Sequence, residues 1–422
     1  ALAPIRPARG KRAVAVGFAR YPALRGPIRP PHTKPPGSMI ARNPNDIPDA
    51  TLRLLLARGI GPRTMRKLEN CFETHEKAIS VTIEELSEVS GLNTKAATLI
   101  HQAVEQVDPD FERLVMAEAG AQLILRGDDD YPALLGAIPD PPAALWIRGQ
   151  LTQADRLAIA IVGSRTCTVY GREQAGRLAS LLAQCGLTIV SGGAVGIDGE
   201  AHRGALRVSG RTIVVLGCGL GRCYPPQHEG LFDRVVESGG AILSEYPMAS
   251  EPKAEHFPPR NRIISGLSLG VVVIEAAKRS GALITARLAA EDHGREVMAL
   301  PGRVDSPASA GCLDAIRDGW AALVTNHTDI LNQLDASSQL VRGALEVAGH
   351  PDATKASTLF DTALTDAQRA IVEALSEANE PLGADQIAAR TELPLSQIMA
   401  DLTLLQIRGR LNKDHLGVRL RR

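Results

Sequence analysis

The run LAIAIVGSRTCTVYG, from Leu157 to Gly171, decides how the chain folds. Leu157 to Val162 are apolar without a break, and Gly163 ends them. A short apolar run that stops at a glycine reads as a strand buried on both faces. Ser164, Thr166 and Thr168 then supply hydroxyls where a helix is expected to begin. A strand, a tight turn and a helix also open a dinucleotide site, but such a site continues G-x-G-x-x-G. Here Ser164-Arg165 follows Gly163, an arginine where a cofactor site places glycine.

Further strand-like runs extend the pattern: LTIVSGG (187–193), TIVVLGC (212–218), AILSEY (241–246), GVVVIEAA (270–277) and EVMALPG (296–302). Helical stretches separate them. Apolar strands alternating with helices predict an α/β fold, a mostly parallel sheet covered on both faces. Ligands of such sheets gather beyond the carboxyl ends of the strands. The unusual residues fall there: Gly163, Ser164 and Arg165; Gly192 and Gly193 before Asp198 and His202; GCGLGRCYP; Phe257, Arg260, Asn261 and Arg262; then Lys278, Arg279, Ser280, Gly281 and Thr285.

Glycine at a strand end lets a phosphate approach the backbone, and a following helix N-terminus adds partial positive charge. Arginine adds a planar fork suited to phosphate. Several such turns along one sheet edge predict an anion-binding track that holds successive phosphates, with Phe257 beside Arg260 as a base-stacking surface. On this reading Arg165 stands where a glycine would because the ligand is a phosphate backbone and not a buried pyrophosphate. Each piece also has a structural reading. Asp198 and His202, four apart, are read as a helix-start acid and a hydrogen-bonded histidine, since no third metal ligand lies nearby. Glu275 is read as a brace for the arginines of RNR, and salt bridging is the alternative role for Arg260 and Arg262.

The flanks differ from this core. Residues 1–46 are rich in proline and arginine with no acid before Asp46, and read as a disordered basic tail; Met39 is a candidate start within it. Residues 47–118 read as helical, and GIGPRTMRKL (59–68) and VSGLNTKAATLI (89–100) look like a helix-hairpin-helix pair. Residues 119–332 form the sheet domain, whose first part, 119–150, is a connector with two strand-like runs around a Pro- and Asp-rich bend. Residues 333–362 read as a linker. Residues 363–422 read as a winged helix-turn-helix, with Arg408, Arg410, Lys413, Arg419, Arg421 and Arg422 near its end against Asp414. The 422 residues allow several domains, formal net charge is zero, and six scattered cysteines without a CxxC pair suggest reduced thiols. No apolar run is long enough for a membrane span.

GSR, SGGAVGIDGEAH, FPPRNRIISGLS, EAAKRSGALITARLA and ALPGRVDSPASAGC occur in that order, with YPALLGAIPDPPAALWIRG before them and Gly319-Trp320 after. Together they strongly resemble the DprA/Smf family of DNA-processing proteins, over roughly residues 50–330. The resemblance implies a Rossmann-like sheet domain between a SAM-like helical domain and a winged helix. It implies a non-enzymatic cytoplasmic protein with no cofactor, metal or catalytic residue. Such a protein binds and protects single-stranded DNA and helps load the RecA recombinase, notably in natural transformation. A homodimer is implied, with single-strand binding protein as a further partner. Carried over, the DNA-binding residues are Gly163, Ser164, Arg165, Gly192, Gly193, Phe257, Arg260, Asn261, Arg262, Ser280, Gly281 and Thr285, with Lys253 the candidate for a basic contact before Phe257.

Two other classes compete. A phosphoribohydrolase-type enzyme needs Glu275 at a closed nucleotide pocket and a PGGxGT turn, of which SGGAVGID is a partial echo. A winged-helix transcription regulator predicts duplex binding that survives loss of the sheet domain.

Overall fold

The computed structural model describes residues 41–89, 91–334, 364–378, 380–407, 410–414 and 417–420. Most of the basic tail, the linker from residue 335, and Arg408, Arg421 and Arg422 lie outside the described residues.

The sheet strands are β1 (Ala121–Leu125), β2 (Ala144–Gly149), β3 (Ala158–Val162), β4 (Thr188–Ser191), β5 (Thr212–Leu216), β6 (Ala241–Ser244), β7 (Gly270–Val273), β8 (Glu296–Ala299) and β9 (Ala322–Leu323). Their spatial order is β1-β2-β6-β5-β4-β3-β7-β8-β9. Every pair from β6 to β9 is parallel. The connector strands extend this sheet: β2 pairs antiparallel with β6, and β1 antiparallel with β2.

The alternation of β3 shows how its sequence is used. Ala158, Ala160 and Val162 face one core cluster, and Leu157, Ile159 and Ile161 face another. Successive strand residues point to opposite faces, so an unbroken apolar run requires cover on both. The helices that give this cover are α8 (Val169–Gln184) and α9 (Ile197–Arg207) on one face. On the other lie α11 (Phe257–Gly266), α12 (Gly281–Arg287) and α13 (Ala310–Arg317). Helix α10 (Glu229–Glu237) covers β5 and β6 through Phe232 and Val235.

Ahead of the sheet are α1 (Asp49–Leu56), α2 (Pro62–Cys71), α3 (His75–Ser80), α4 (Ile83–Glu88), α5 (Thr94–Glu105) and α6 (Pro109–Ala119); α7 (Ala133–Gly136) is a single turn in the connector. Thr82 and Glu85 close a reciprocal capping box on α4, and Asn93 caps α5. The first hairpin, Ile60-Gly61-Pro62, lines a small cavity with Ala143, Trp146 and Glu245 and so faces the sheet domain. In the second hairpin Gly91, Asn93, Thr94 and Lys95 are exposed.

The C-terminal unit has helices Asp366–Ser376, Ala384–Thr391 and Leu395–Ile407 and a wing of Leu411–Asp414 against Gly417–Leu420. It keeps its own core around Ile371, Ile387, Ile398 and Leu405. The buried Gln368 amide donates to the Cys185 carbonyl at the end of α8, 3.4 Å.

Candidate nucleic-acid interface

The turn after β3 is held by Glu275, which follows β7 and is 2% exposed. Its backbone carbonyl accepts from the Ser164 N–H at 2.7 Å. Its carboxylate accepts from the Thr168 N–H (2.8 Å) and the Thr168 hydroxyl (2.6 Å). That hydroxyl in turn accepts from the Gly171 N–H at 3.1 Å, the N-cap of α8. Glu275 therefore braces the Ser164–Thr168 turn, not the RNR arginines as the sequence suggested. The carboxylate reaches across one strand spacing, whereas α11 packs elsewhere. From below, Gly196 supports the same turn at φ +84°, next to the Ser164 and Arg165 carbonyls, and the Ile197 N–H donates to the Ser164 carbonyl at 3.2 Å. The result is a fixed loop with an exposed Arg165 at its tip.

Arg165 lies over the half-buried Phe257 ring, its Cζ 5.2 Å from the centroid. The Arg260 guanidinium also faces that ring, at 5.9 Å. Arg260 is 4% exposed. Its Nη1 donates to the carbonyls of Gly192 (2.8 Å) and Val215, at the ends of β4 and β5. Burial pushes its pKa down to about 10, against the Asp198 charge that favours the cation. Asp198, also buried, is raised by the same desolvation, with Arg260 as the leading offset. A Cβ on Gly192 would sit 2.7 Å from Arg260 Nη2 and 2.8 Å from Asp198 Oδ2, so this turn passes between two buried charges. Gly193 lies next to it at φ +67°.

The remaining expected residues divide. Lys253 is exposed just before α11, and Asn261 is half-buried on its second turn. Ser280 caps α12 by accepting from the Ala282 N–H at 3.3 Å, and Gly281 is open to solvent. Arg262 and Thr285 correct the sequence reading. The Arg262 fork is 7% exposed and holds Glu245 through two bonds (2.8 and 2.5 Å) while Nε donates to the Asp140 carbonyl. Thr285 is 2% exposed, on the inner face of α12. The difference between the two arginines is one of partners: Arg260, just as buried, reaches strand-end carbonyls beside Phe257, whereas Arg262 is spent on Glu245 and Asp140. Lys278 pairs with Asp314 at 3.0 Å.

Sequence reasoning also missed Tyr224, whose ring lies 5.6 Å from that of Phe257. The Tyr-Pro that closes GCGLGRCYP was the available signal.

His202 shares a 2.7 Å hydrogen bond with the Thr212 hydroxyl and is wholly buried. Among the described residues no group of three or more His, Cys, Asp or Glu side chains is placed to hold a metal. Burial, with the nearby His228 next, pushes the His202 pKa down to about 3. An unfolded histidine titrates near 6.5, so the unfolded chain takes the proton first. Stability present above pH ~6.5 is therefore lost as pH falls toward the folded value. The melting temperature should fall as pH is lowered from 6.5 to 4, and less steeply in His202→Gln. Identical pH slopes in the two proteins would dismiss the assignment.

These features define a class: a Rossmann-like sheet with glycine- and arginine-bearing turns at its carboxyl edge and a trailing winged helix. The family described as DNA recombination-mediator protein A matches residues 122–335, and the DprA winged helix domain matches residues 354–414. The chain is 36% identical to protein Smf of Synechocystis, covering 86% of this chain and 96% of that protein. It is 38% identical to the DNA processing protein DprA of Bacillus subtilis, covering 61% and 87%. The X-ray structure of DNA processing protein A from Streptococcus pneumoniae superposes with a TM-score of 0.58 at 34% identity, covering 68% of this chain and 98% of that one. The chain belongs to the DprA/Smf family of DNA-processing proteins. No helix among the described residues is long and apolar enough to cross a membrane.

Proposed function

We propose that the chain binds single-stranded DNA along the carboxyl edge of its sheet, protects it, and passes it to a RecA-type recombinase in natural transformation or homologous recombination. One observation carries the reading: an exposed arginine stacked on a half-buried phenylalanine, on a loop braced from both sides. An arginine so placed meets a phosphate while the ring meets an unpaired base. Gly163, Ser164, Lys253, Asn261, Ser280 and Gly281 line the track around it, Gly192 and Gly193 form a buried turn behind it, and the buried Arg260 adds charge. The protein acts without catalysis, in the cytoplasm, as a homodimer, with single-strand binding protein as a further partner. Family membership supports a role in DNA processing.

Two observations weigh against the competing classes. The Glu275 carboxylate is engaged by Thr168, which leaves it poorly placed as a glycosidic acid or base. The third helix of the winged domain, Leu395–Ile407, contains no lysine or arginine, the side chains that most often read guanine in a major groove.

The test is fluorescence anisotropy of labelled oligo-dT against salt, beside a duplex of equal length. Tight, salt-sensitive binding is expected to favour the single strand. Arg165→Ala should weaken it roughly 30-fold, the loss of a charged hydrogen bond to phosphate worth about 2 kcal/mol. The log–log salt slope should fall by about 0.7, one phosphate's share on a single strand. Preference for duplex, or full affinity in the variant, would refute the proposal.

A further inference from the structure

We propose that Tyr224 is a second base-stacking residue, so that the interface holds two consecutive unpaired bases; this rests on the single-strand reading above. Tyr224 is 38% exposed at the rim of the Phe257 site. The two rings are 5.6 Å apart and inclined at 44°. A base cannot enter between them, since stacked atoms need about 3.5 Å on each side. Each ring therefore has one outward surface to give. Phe257 receives a base when Arg165 leaves its ring for a phosphate, and Tyr224 receives the neighbouring base.

The loop that carries Tyr224 is anchored. The Gly219 N–H donates to the Ser250 carbonyl and the Gly221 N–H to the Met248 carbonyl, both at 3.0 Å. Cys218 is 1% exposed, and Cys223 Sγ lies 3.5 Å from the Pro225 carbonyl. A ring fixed in advance binds without a large ordering cost. The inclination also selects the ligand. Bases on two platforms tilted at 44° are splayed, whereas the stacked pairs of a duplex are nearly parallel. Tyr224 thus adds to affinity and to preference for single over double strands.

The experiment uses the full chain with Tyr224→Leu, Tyr224→Phe and Arg165→Ala, and measures binding to oligo-dT, to an abasic strand of equal length, and to duplex. Stacking on one aromatic residue predicts a roughly tenfold loss on oligo-dT for Tyr224→Leu, with abasic-strand affinity within about twofold of the parent. Tyr224→Phe keeps the ring and should bind oligo-dT within about twofold of the parent. The preference for oligo-dT over duplex should shrink in Tyr224→Leu alone among the Tyr224 variants. Unchanged oligo-dT binding by Tyr224→Leu, or equal losses on oligo-dT and the abasic strand, would overturn the assignment while Arg165→Ala still weakened both. If Arg165→Ala bound both strands like the parent, the site itself would be misplaced and the assignment would fall with it.

Discussion

Replacing Arg260 with methionine should cost the fold about 3–5 kcal/mol, the usual effect of removing one partner from a buried charged network. The reason is local. Its Nη1 satisfies two strand-end carbonyls, those of Gly192 and Val215, and its charge opposes that of the buried Asp198. Methionine fills much of the same space but donates nothing. The carbonyls then lose their donor and the carboxylate is stranded in a site from which water is excluded. For a domain of this size the melting temperature should fall by roughly 10 °C. The double variant Arg260→Met/Asp198→Asn should recover part of the loss, because a neutral amide tolerates burial better than an unpaired charge. A single variant that melts within a degree or two of the parent would show that the pair is not structural. Single-strand binding should also fall, since Phe257 would lose the group that supports its ring from beneath.

Gly196→Val should be the most damaging single change to the interface. A side chain at this position would bring its Cβ to 2.4 Å from the Ser164 carbonyl oxygen and 2.7 Å from that of Arg165. Both are backbone atoms, which cannot rotate away. The residue also sits at φ +84° and ψ −131°, a conformation that a β-branched residue avoids. Strain and overlap together predict a loss of roughly 4 kcal/mol. The chain can relieve this only by displacing the Ser164–Thr166 turn, which carries Arg165 off Phe257. Binding to oligo-dT should therefore fall at least as far as in Arg165→Ala, and the far-ultraviolet circular dichroism of the sheet should remain. Near-parental binding by a folded Gly196→Val protein would mean that the turn does not position the arginine.

The parallel strands β3 to β8 were readable from sequence because burial on both faces demands apolar runs, whereas the two-residue β9, with Leu323 exposed, gave no such run. Their order was not, because register and adjacency depend on contacts distant along the chain. The runs AQLIL and AALWIRG were legible as strands, yet nothing local announces that they join the sheet antiparallel beyond β6. At the candidate interface, Gly163-Ser164-Arg165 and Phe257 could be picked out because an arginine stands where a dinucleotide turn places glycine, and an aromatic residue lies near a second arginine. Arg262 and Thr285 were included by their motifs, but contacts with residues distant along the chain bury both, as with the Arg262 bonds to Glu245 and Asp140. Glu275 was correctly read as a brace, but its partner was misassigned, because a carboxylate at a strand end can reach toward either neighbour. Tyr224 and Gly196 escaped because their roles arise only when separate loops meet.

The proline-rich bend between β1 and β2 has a consequence for how the molecule holds together. Its successive carbonyls serve four different donors: Arg66 of α2 bonds Pro139 (2.8 Å), Arg262 of α11 bonds Asp140 (2.8 Å), Arg126 bonds Pro141 (3.5 Å) and the Tyr131 hydroxyl bonds Pro142 (2.8 Å). Prolines break regular structure here, which leaves these carbonyls to accept from side chains. The bend thus works as a rivet strip joining the leading helices to the very helix that begins with Phe257. A boundary that looks like a connector in the sequence is a shared joint in space, and a truncation there would remove bonds that arginines on both sides make to it. The leading helices and the sheet should therefore melt as one cooperative body, with the interface as stable as the joint that stands behind it.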